Sequence, residues 1–576
     1  MKKIYFILFL LASFSFLYAQ SAISDYVEEF RGDTAVVKEG MLYEAIEYDT
    51  LNVPAGRVYL LKKATTYALA SNPTTKAGRH TIIVGENRTP IYQNTKQEDM
   101  FPVICGSGGN GGGINYGGDL TVKNCIVVPA SAEGTLGWVF FWGSQPNCRV
   151  TLENSIFEKT RWVIVASNSV AGTRLFIKDC YFVNLSGQAC RRNGGVYDNV
   201  ENPTDTIWVE NTTHVMAQGM MYKFRNYPIK KLMFNHNTFI NCAGIIFETN
   251  GYQSDWTVTN NIFINSNVQP FTFIAEDYPE VDPDTLAHGL INIRDLPPDY
   301  DQVPRKVLVD RNLVYWDPKL SNLAAEMIAE NINSTNKWFN QTIKMNSRTK
   351  AMFDDNSKYP YLTEGTWYEK LPKFKQPQDL LTDQVDILKT FAKETMDLTK
   401  SAILPEWRKV LIGQDYYVYP DFPVSINLAY TDSDLLTAGL NGFPLGDLNW
   451  FPEKKAQWLA QRDAEYAALK QALDSGKLPV GVEETEPLPI SFEVKQNYPN
   501  PFNPKTTITF SIPKAGNVVV KVFNILGQEV ATIFNGLLPA QTHHIDFDAS
   551  KLTSGVYIYS VQYDGLTISK KMVLMK

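Results

Sequence analysis

Lys223 and Arg225, two positions apart in the stretch "MYKFRN", are the residues of this sequence best suited to chemistry on an acidic partner. Alternation along a strand would put both side chains on one face. Three strand-like rows align here: "ACRRNG" near Ala189, "MYKFRN" from Met221 and "IIFETN" from Ile245. Stacked strands lie about 4.8 Å apart, so side chains on successive rows become neighbours. With Ile245 and Phe247 turned inward, the outward set is Arg191, Asn193, Lys223, Arg225, Glu248 and Asn250. β-Elimination of a uronic-acid polymer needs cations to neutralise the carboxylate and a base for the adjacent ring proton. A lysine between two arginines suits the base, because like charge favours its neutral form. On this reading Lys223, Arg191 and Arg225 are catalytic, and Asn193, Trp142, Trp162 and Tyr227 contact the sugar. Glu248 and Asn250 would hold Ca2+, the one cofactor the set suggests. An exposed sheet face also carries charges of alternating sign for stability alone. The same surface would then bind glycan without cutting it, or serve only as a wall.

Such a patch requires stacked strands, and the sequence repeats accordingly. A pattern of apolar, any, Asn-like, small or Asn, any, apolar starts at Val122, Leu152, Ile177, Val209, Phe234, Val258 and Val309. Each unit reads as a strand with one buried face. The last interval is the longest and leaves room for a further coil or a long loop. The fourth place of the pattern reads Cys125, Ser155, Cys180, Thr212, Asn237, Asn261 and Asn312. A column of small residues and asparagines predicts side chains bonding along the stacking axis of a parallel β-helix. It also makes two cysteines ladder members. The spacing of the six cysteines fits no zinc pattern; export would permit a disulfide bridge, but small buried core residues is the better reading. His214 and His236 fall inside the pattern and suit corner or wall positions.

Between about residues 55 and 320 the sequence resembles the right-handed parallel β-helix proteins of the pectate-lyase-like superfamily, through repeat pattern rather than catalytic motif. "RVYLLKKATTYAL" and "RHTIIVGE" read as opening coils, and "GSGGNGGGINYGG" as a flexible surface loop without the lysine of a phosphate loop. "NLAAEMIAENI" and "QDLLTDQVDILKTFAKETM" read as helices packed on the side of the coil. "LNGFPLGDLNWFP" resembles the closing turn of secreted β-helix proteins, and a helix follows with Pro452 at its start, placed to cover an open sheet edge.

The two ends speak of destination. "MKKIYFILFLLASFSFLYAQ" has the charge, apolar run and small residue of a signal peptide spanning 1–19. No other segment is apolar enough to span a bilayer, and a net charge of -7 argues against nucleic acid as the main partner. The passenger would occupy 20–475 and a proline- and glutamate-rich linker 476–489. Past it, "QNYPNPFNPKTTITFSIP", "VKVFNILGQEV", "LTSGVYIYSVQYDG" and "KKMVLMK" resemble the C-terminal sorting domain of type IX secretion, over 490–576. The three prolines of "QNYPNPFNP" exclude a helix and make a stiff entry turn. The strand-like runs beyond predict a small Ig-like β-sandwich, with one of His543 and His544 facing in and the other out. The resemblance implies export, partnership with the secretion machinery, and a place outside the cell. The expected whole is all-β: a coil with peripheral helices, then the sandwich. Its partner would be polysaccharide, either cut by a lyase or held by a glycan-binding, adhesive or structural surface protein.

Overall fold

The structure is a computed structural model describing residues 23–49, 56–107, 112–131, 135–167, 170–185, 193–225, 227–272, 286–332, 338–376, 379–396, 421–480, 491–538 and 541–576. The expected signal peptide, Arg191, Cys190 and most of the linker lie outside them. The chain divides into two units, Met1–Pro452 with Leu469–Pro479, and Glu453–Ala468 with Val480–Lys576.

In the first unit the chain visits three sheets in turn. Sheet one has twelve strands among the described residues; its central strands include Leu120–Lys123, Arg149–Glu153, Thr173–Lys178, Thr204–Glu210, Ile229–Asn235, Gln253–Thr259 and Lys306–Asp310. Sheet two has ten, including Ile126–Val128, Ile156–Glu158, Tyr181–Leu185, Thr213–Ala217, Thr238–Ile240 and Ile262–Ile264. Sheet three has six. Neighbours within the coil pair in parallel, one turn of chain apart. The architecture is a parallel β-helix. Val258 pairs directly with Val309, so the long interval before Val309 is an insertion and not a further coil of sheet one.

The sequence repeat marks a corner, not a single strand. Its third residue leaves sheet one in the left-handed conformation: Asn124, Asn154, Asp179, Asn211, His236, Asn260 and Arg311 all have φ between 46° and 58°. Asparagine tolerates that geometry better than most residues, which explains its recurrence there. The next residue turns inward and bonds along the axis. The Asn237 backbone N–H donates to Oδ1 of Asn261 (2.9 Å), and that of Asn261 to Oδ1 of Asn312 (3.0 Å). Thr212 donates likewise to Asn237, and Cys180 to the Thr212 hydroxyl. Cys105, Cys125, Cys148, Cys180 and Cys242 are buried free thiols.

Inside sheet two, Phe157, Phe182, His214, Phe239 and Phe263 are register partners. The His214 ring stacks on Phe182 at 5.0 Å and on Phe239 at 4.2 Å, and one ring nitrogen meets the Tyr222 hydroxyl at 3.0 Å. Burial lowers the imidazole pKa to about 3 from 6.5. An unfolded chain therefore takes up a proton below pH 6.5 that the folded chain refuses, so His214 favours folding above that value and progressively opposes it as the pH falls toward 3. His214→Phe keeps the stack and should flatten this part of the acid limb in urea titrations run from pH 7 to 4. Its stability at neutral pH should drop by about 1–3 kcal/mol, because the Tyr222 hydroxyl loses its partner.

The glycine-rich stretch departs from expectation. Ile114–Tyr116 is a strand of sheet three rather than part of a loose loop. A Cβ at Gly113 would lie 1.8 Å from the Phe140 carbonyl oxygen, so glycine is there for close backbone approach. The outer face of sheet two is covered as expected from the peripheral segments. Leu323 and Leu381, Val385, Leu388 and Phe391, from the helices Leu323–Ala329 and Asp379–Met396, share one core with Ile240, Ile262 and Leu313. The closing turn lies along the corner, with Leu440 donating to Asn260 and Asp447 accepting from the Thr213 hydroxyl at 2.7 Å. A helix forms over Pro452–Ser475, and at its end Asp474 meets Lys306 at 2.7 Å.

The second unit contains two antiparallel sheets, one of Glu493–Val494, Lys505–Ile512 and Gln541–Asp548, the other of Glu529–Leu538, Gly516–Asn524, Gly555–Tyr563 and Leu566–Leu574. Phe510, Val520, Val522, Tyr559, Val561 and Met572 lie in its core. His543 is buried and His544 exposed, as alternation requires. The asparagines of the entry turn are fasteners. Asn497 is buried and donates to the Thr506 hydroxyl (2.9 Å), and Asn500 Oδ1 accepts from the Val573 N–H (2.9 Å).

Candidate functional site

Sheet three comprises Ile114–Tyr116, Val139–Gly143, Val163–Ala166, Gly195–Asp198, Tyr222–Lys223 and Phe247–Glu248. Its inward row of Phe141, Val165, Tyr197, Tyr222 and Phe247 belongs to the main core. The register then fixes the outward row as Asn115, Trp142, Ala166, Asp198, Lys223 and Glu248. This corrects the alignment read from sequence. The strand of the third row is "GVYD", which begins only where "ACRRNG" ends, so the register neighbour of Lys223 is Asp198 rather than Arg191 or Asn193. Asn193 is buried ahead of that strand, and Ile246 joins Phe247 in the main core, with Ile245 buried as well.

Asp198 is the hub that sequence reading missed. Arg225 grips its carboxylate with Nε on Oδ1 and Nη2 on Oδ2, both at 3.0 Å. The Trp162 indole N–H donates to Oδ2 at 3.0 Å, the Val200 amide to Oδ1 at 2.8 Å, and the Lys223 ammonium stands 3.6 Å away. Side-chain exposure is 0% for Asp198, 6% for Lys223 and 17% for Arg225, so the cluster is largely desolvated and not the open charged patch expected. Burial alone would raise the Asp198 carboxyl, but Lys223, Arg225 and the hydrogen bonds hold it below the usual carboxylate range.

Arg225 leaves the strand with φ 53°, and its backbone N–H donates to Oε2 of Glu248 (3.0 Å), as does that of Phe224 (3.2 Å). Glu248 therefore secures the bend that carries Arg225. Oε2 of Glu248 is thus committed to two amides, and Asn250 is buried. Among the described residues no group of three or more His, Cys, Asp or Glu gathers to hold a metal.

Beside the ion cluster lie half-buried aromatic rings. Trp142 and Trp162 meet edge to face at 5.8 Å, and Trp138 meets Trp162 at 6.1 Å. Val139, Val163 and Ala166 pack beneath them, and Arg161 lies 4.8 Å over the Trp138 ring. Tyr227 follows Arg225 by two residues and is half-buried. Tyr252 and Tyr300 meet at a tilt with ring centroids 5.1 Å apart; burial, then Tyr252, Asp299 and Tyr227, raise the Tyr300 pKa. Trp138, Tyr252 and Tyr300 were not singled out from sequence. Only Trp138, four residues before Trp142, carried a signal, because that spacing keeps two residues on one strand face.

The comparisons with known proteins speak to the second unit. A family model for the secretion system C-terminal sorting domain matches residues 496–575. That segment is a type IX secretion sorting domain. It directs export to the cell surface or the extracellular space, and it implies an encounter with the type IX machinery. No curated protein and no solved structure matches the chain. Among the described residues no helix is long and apolar enough to cross a membrane.

Proposed function

We propose that the coil, as the passenger over residues 20–475, binds polysaccharide outside the cell on the outward face of sheet three. The observation that carries this reading is the Trp142–Trp162 pair, fixed at one edge by the Trp162–Asp198 hydrogen bond and set beside Arg225. Aromatic rings offer apolar faces on which pyranose rings stack, and a held guanidinium offers directed donors for hydroxyls or a carboxylate. Asn193 and Tyr227 would border the same surface. A lyase is the second reading, with Lys223 as base and Arg191 and Arg225 neutralising a uronate. The register gives Lys223 two carboxylate neighbours, Asp198 and Glu248, which favours holding over cutting.

The test is affinity electrophoresis against a panel of neutral and uronate polysaccharides. Trp142→Ala should weaken retention about tenfold, equal to about 1.4 kcal/mol, while Lys551→Ala in the sorting domain leaves it unchanged. Retention equal to wild type in Trp142→Ala would remove this face from consideration. Release of unsaturated product, followed by ultraviolet absorbance, would establish the lyase instead.

A further inference from the structure

A second face of the coil carries a strip of rings and cations. In sheet one, Thr121, Thr151, Phe176, Trp208 and Met233 are successive register partners pointing outward, between the inward rows that contain Val150 and Leu152. Phe176 and Trp208 are half-buried at the surface, whereas Met233 is covered. Flanking this row is another in the same register: Arg149, Arg174, Thr206, Lys231 and then Asp255. Arg149 lies 4.0 Å over the Phe176 ring and Lys231 5.0 Å over the Trp208 ring.

Two features are hard to explain by folding alone. Arg149 and Arg174 sit directly opposite each other, an arrangement of like charges that destabilises a sheet. Among the described residues neither guanidinium forms an ion pair. Arg149 donates from Nε to the Thr151 hydroxyl (3.4 Å) and Arg174 from Nη2 to the Asn147 carbonyl (2.9 Å), while Nε of Arg174 is buried without a partner. Of the nearby acids, Glu153 pairs with Lys123 at 2.7 Å and Asp205 with Lys230 at 3.4 Å, while Asp119 stays beside Arg149 and accepts from its backbone N–H at 2.7 Å. His80, bonded to the Thr121 hydroxyl, has its pKa lowered by burial, against the pull of Asp119 and with a smaller lowering from Arg149.

We infer that this strip is a second binding site, separate from the tryptophan face of sheet three, that takes an acidic glycan lying along the coil axis. Strand spacing of about 4.8 Å sets rings and cations at intervals comparable to successive sugars of an extended chain. Guanidiniums with open donor positions match sulfate or carboxylate groups. Three cations on a chain of net charge -7 form a local exception, suited to a sparsely charged polymer rather than to the dense phosphates of nucleic acid.

The full chain should bind dextran sulfate and not dextran. Arg149→Ala/Arg174→Ala should weaken dextran sulfate binding about tenfold or more and make it less sensitive to salt. Its melting temperature should hold or rise, because the like-charge pair is gone. Trp142→Ala should leave dextran sulfate binding unchanged, so failure of this site and of the sheet-three site can be told apart. Binding by the double variant equal to wild type would overturn the inference. So would a fall in its melting temperature, loss of binding in Trp142→Ala, or tighter binding of single-stranded DNA than of dextran sulfate.

Discussion

Cells producing the chain cut after residue 489 should retain a folded coil that never reaches their surface. Whole-cell antibody labelling should drop to background while the truncated protein stays detectable inside and resists limited proteolysis. The expectation rests on the second unit having a core of its own, with Phe510, Val520, Tyr559 and Met572 buried together, and on its match to the sorting family. The reciprocal fusion, an inert reporter with residues 1–19 at its start and 491–576 at its end, should bring the reporter out. Normal display of the truncated chain would show that delivery lies elsewhere.

The largest stability loss from a single side chain should come at Asp198. Asp198→Ala removes the carboxylate that pairs Arg225 and Lys223 in a nearly dry setting, and leaving buried charges uncompensated costs about 3–5 kcal/mol. Asp198→Asn keeps the shape and the Trp162 contact and should lose less. The pH dependence follows from the depressed carboxyl. The unfolded group titrates near 3.8 and the folded one lower. The contribution is therefore complete above the unfolded value and is lost as the pH falls through the folded one. Asp198→Asn should lack that part of the acid limb. Calorimetry of the three proteins from pH 7 down to 3 checks both points, and an Asp198→Ala melt within about 0.5 kcal/mol of wild type, the range of ordinary surface changes, would show that the cluster holds nothing together.

The ladder was legible in the sequence because its rule is local and repeated. Asn237, Asn261 and Asn312 recur at one place of one pattern, and the hydrogen bonds found are those the column implies. Asp198 was not legible for the opposite reason. "GVYD" repeats nothing, and the irregular "QACRRNGG" ahead of it hides how far the chain travels before re-entering the sheet. A slip of several residues there exchanged an acid for a base as the neighbour of Lys223 and changed the chemistry inferred. The glycine stretch misled through composition. Many glycines read as looseness, yet at Gly113 the missing side chain is what allows two backbones to touch. Nor could local pattern show that Leu381 and Val385 bury themselves against Ile240 and Ile262, because that contact joins segments far apart in the chain.

The asparagine column also has a direction. Each rung's backbone N–H is satisfied by the side chain of the rung that follows it in sequence, from Thr212 through Asn237 to Asn261, and the column ends where the Asn312 N–H donates to the Thr366 carbonyl at 3.2 Å. A partly assembled stack always presents one open rung, at its C-terminal end, and the arrival of the next turn of chain closes it while opening another. Growth from early turns to late ones is thus self-templating, each addition locking its predecessor as a pawl locks a ratchet. For a chain destined for export, the column provides a built-in order of assembly.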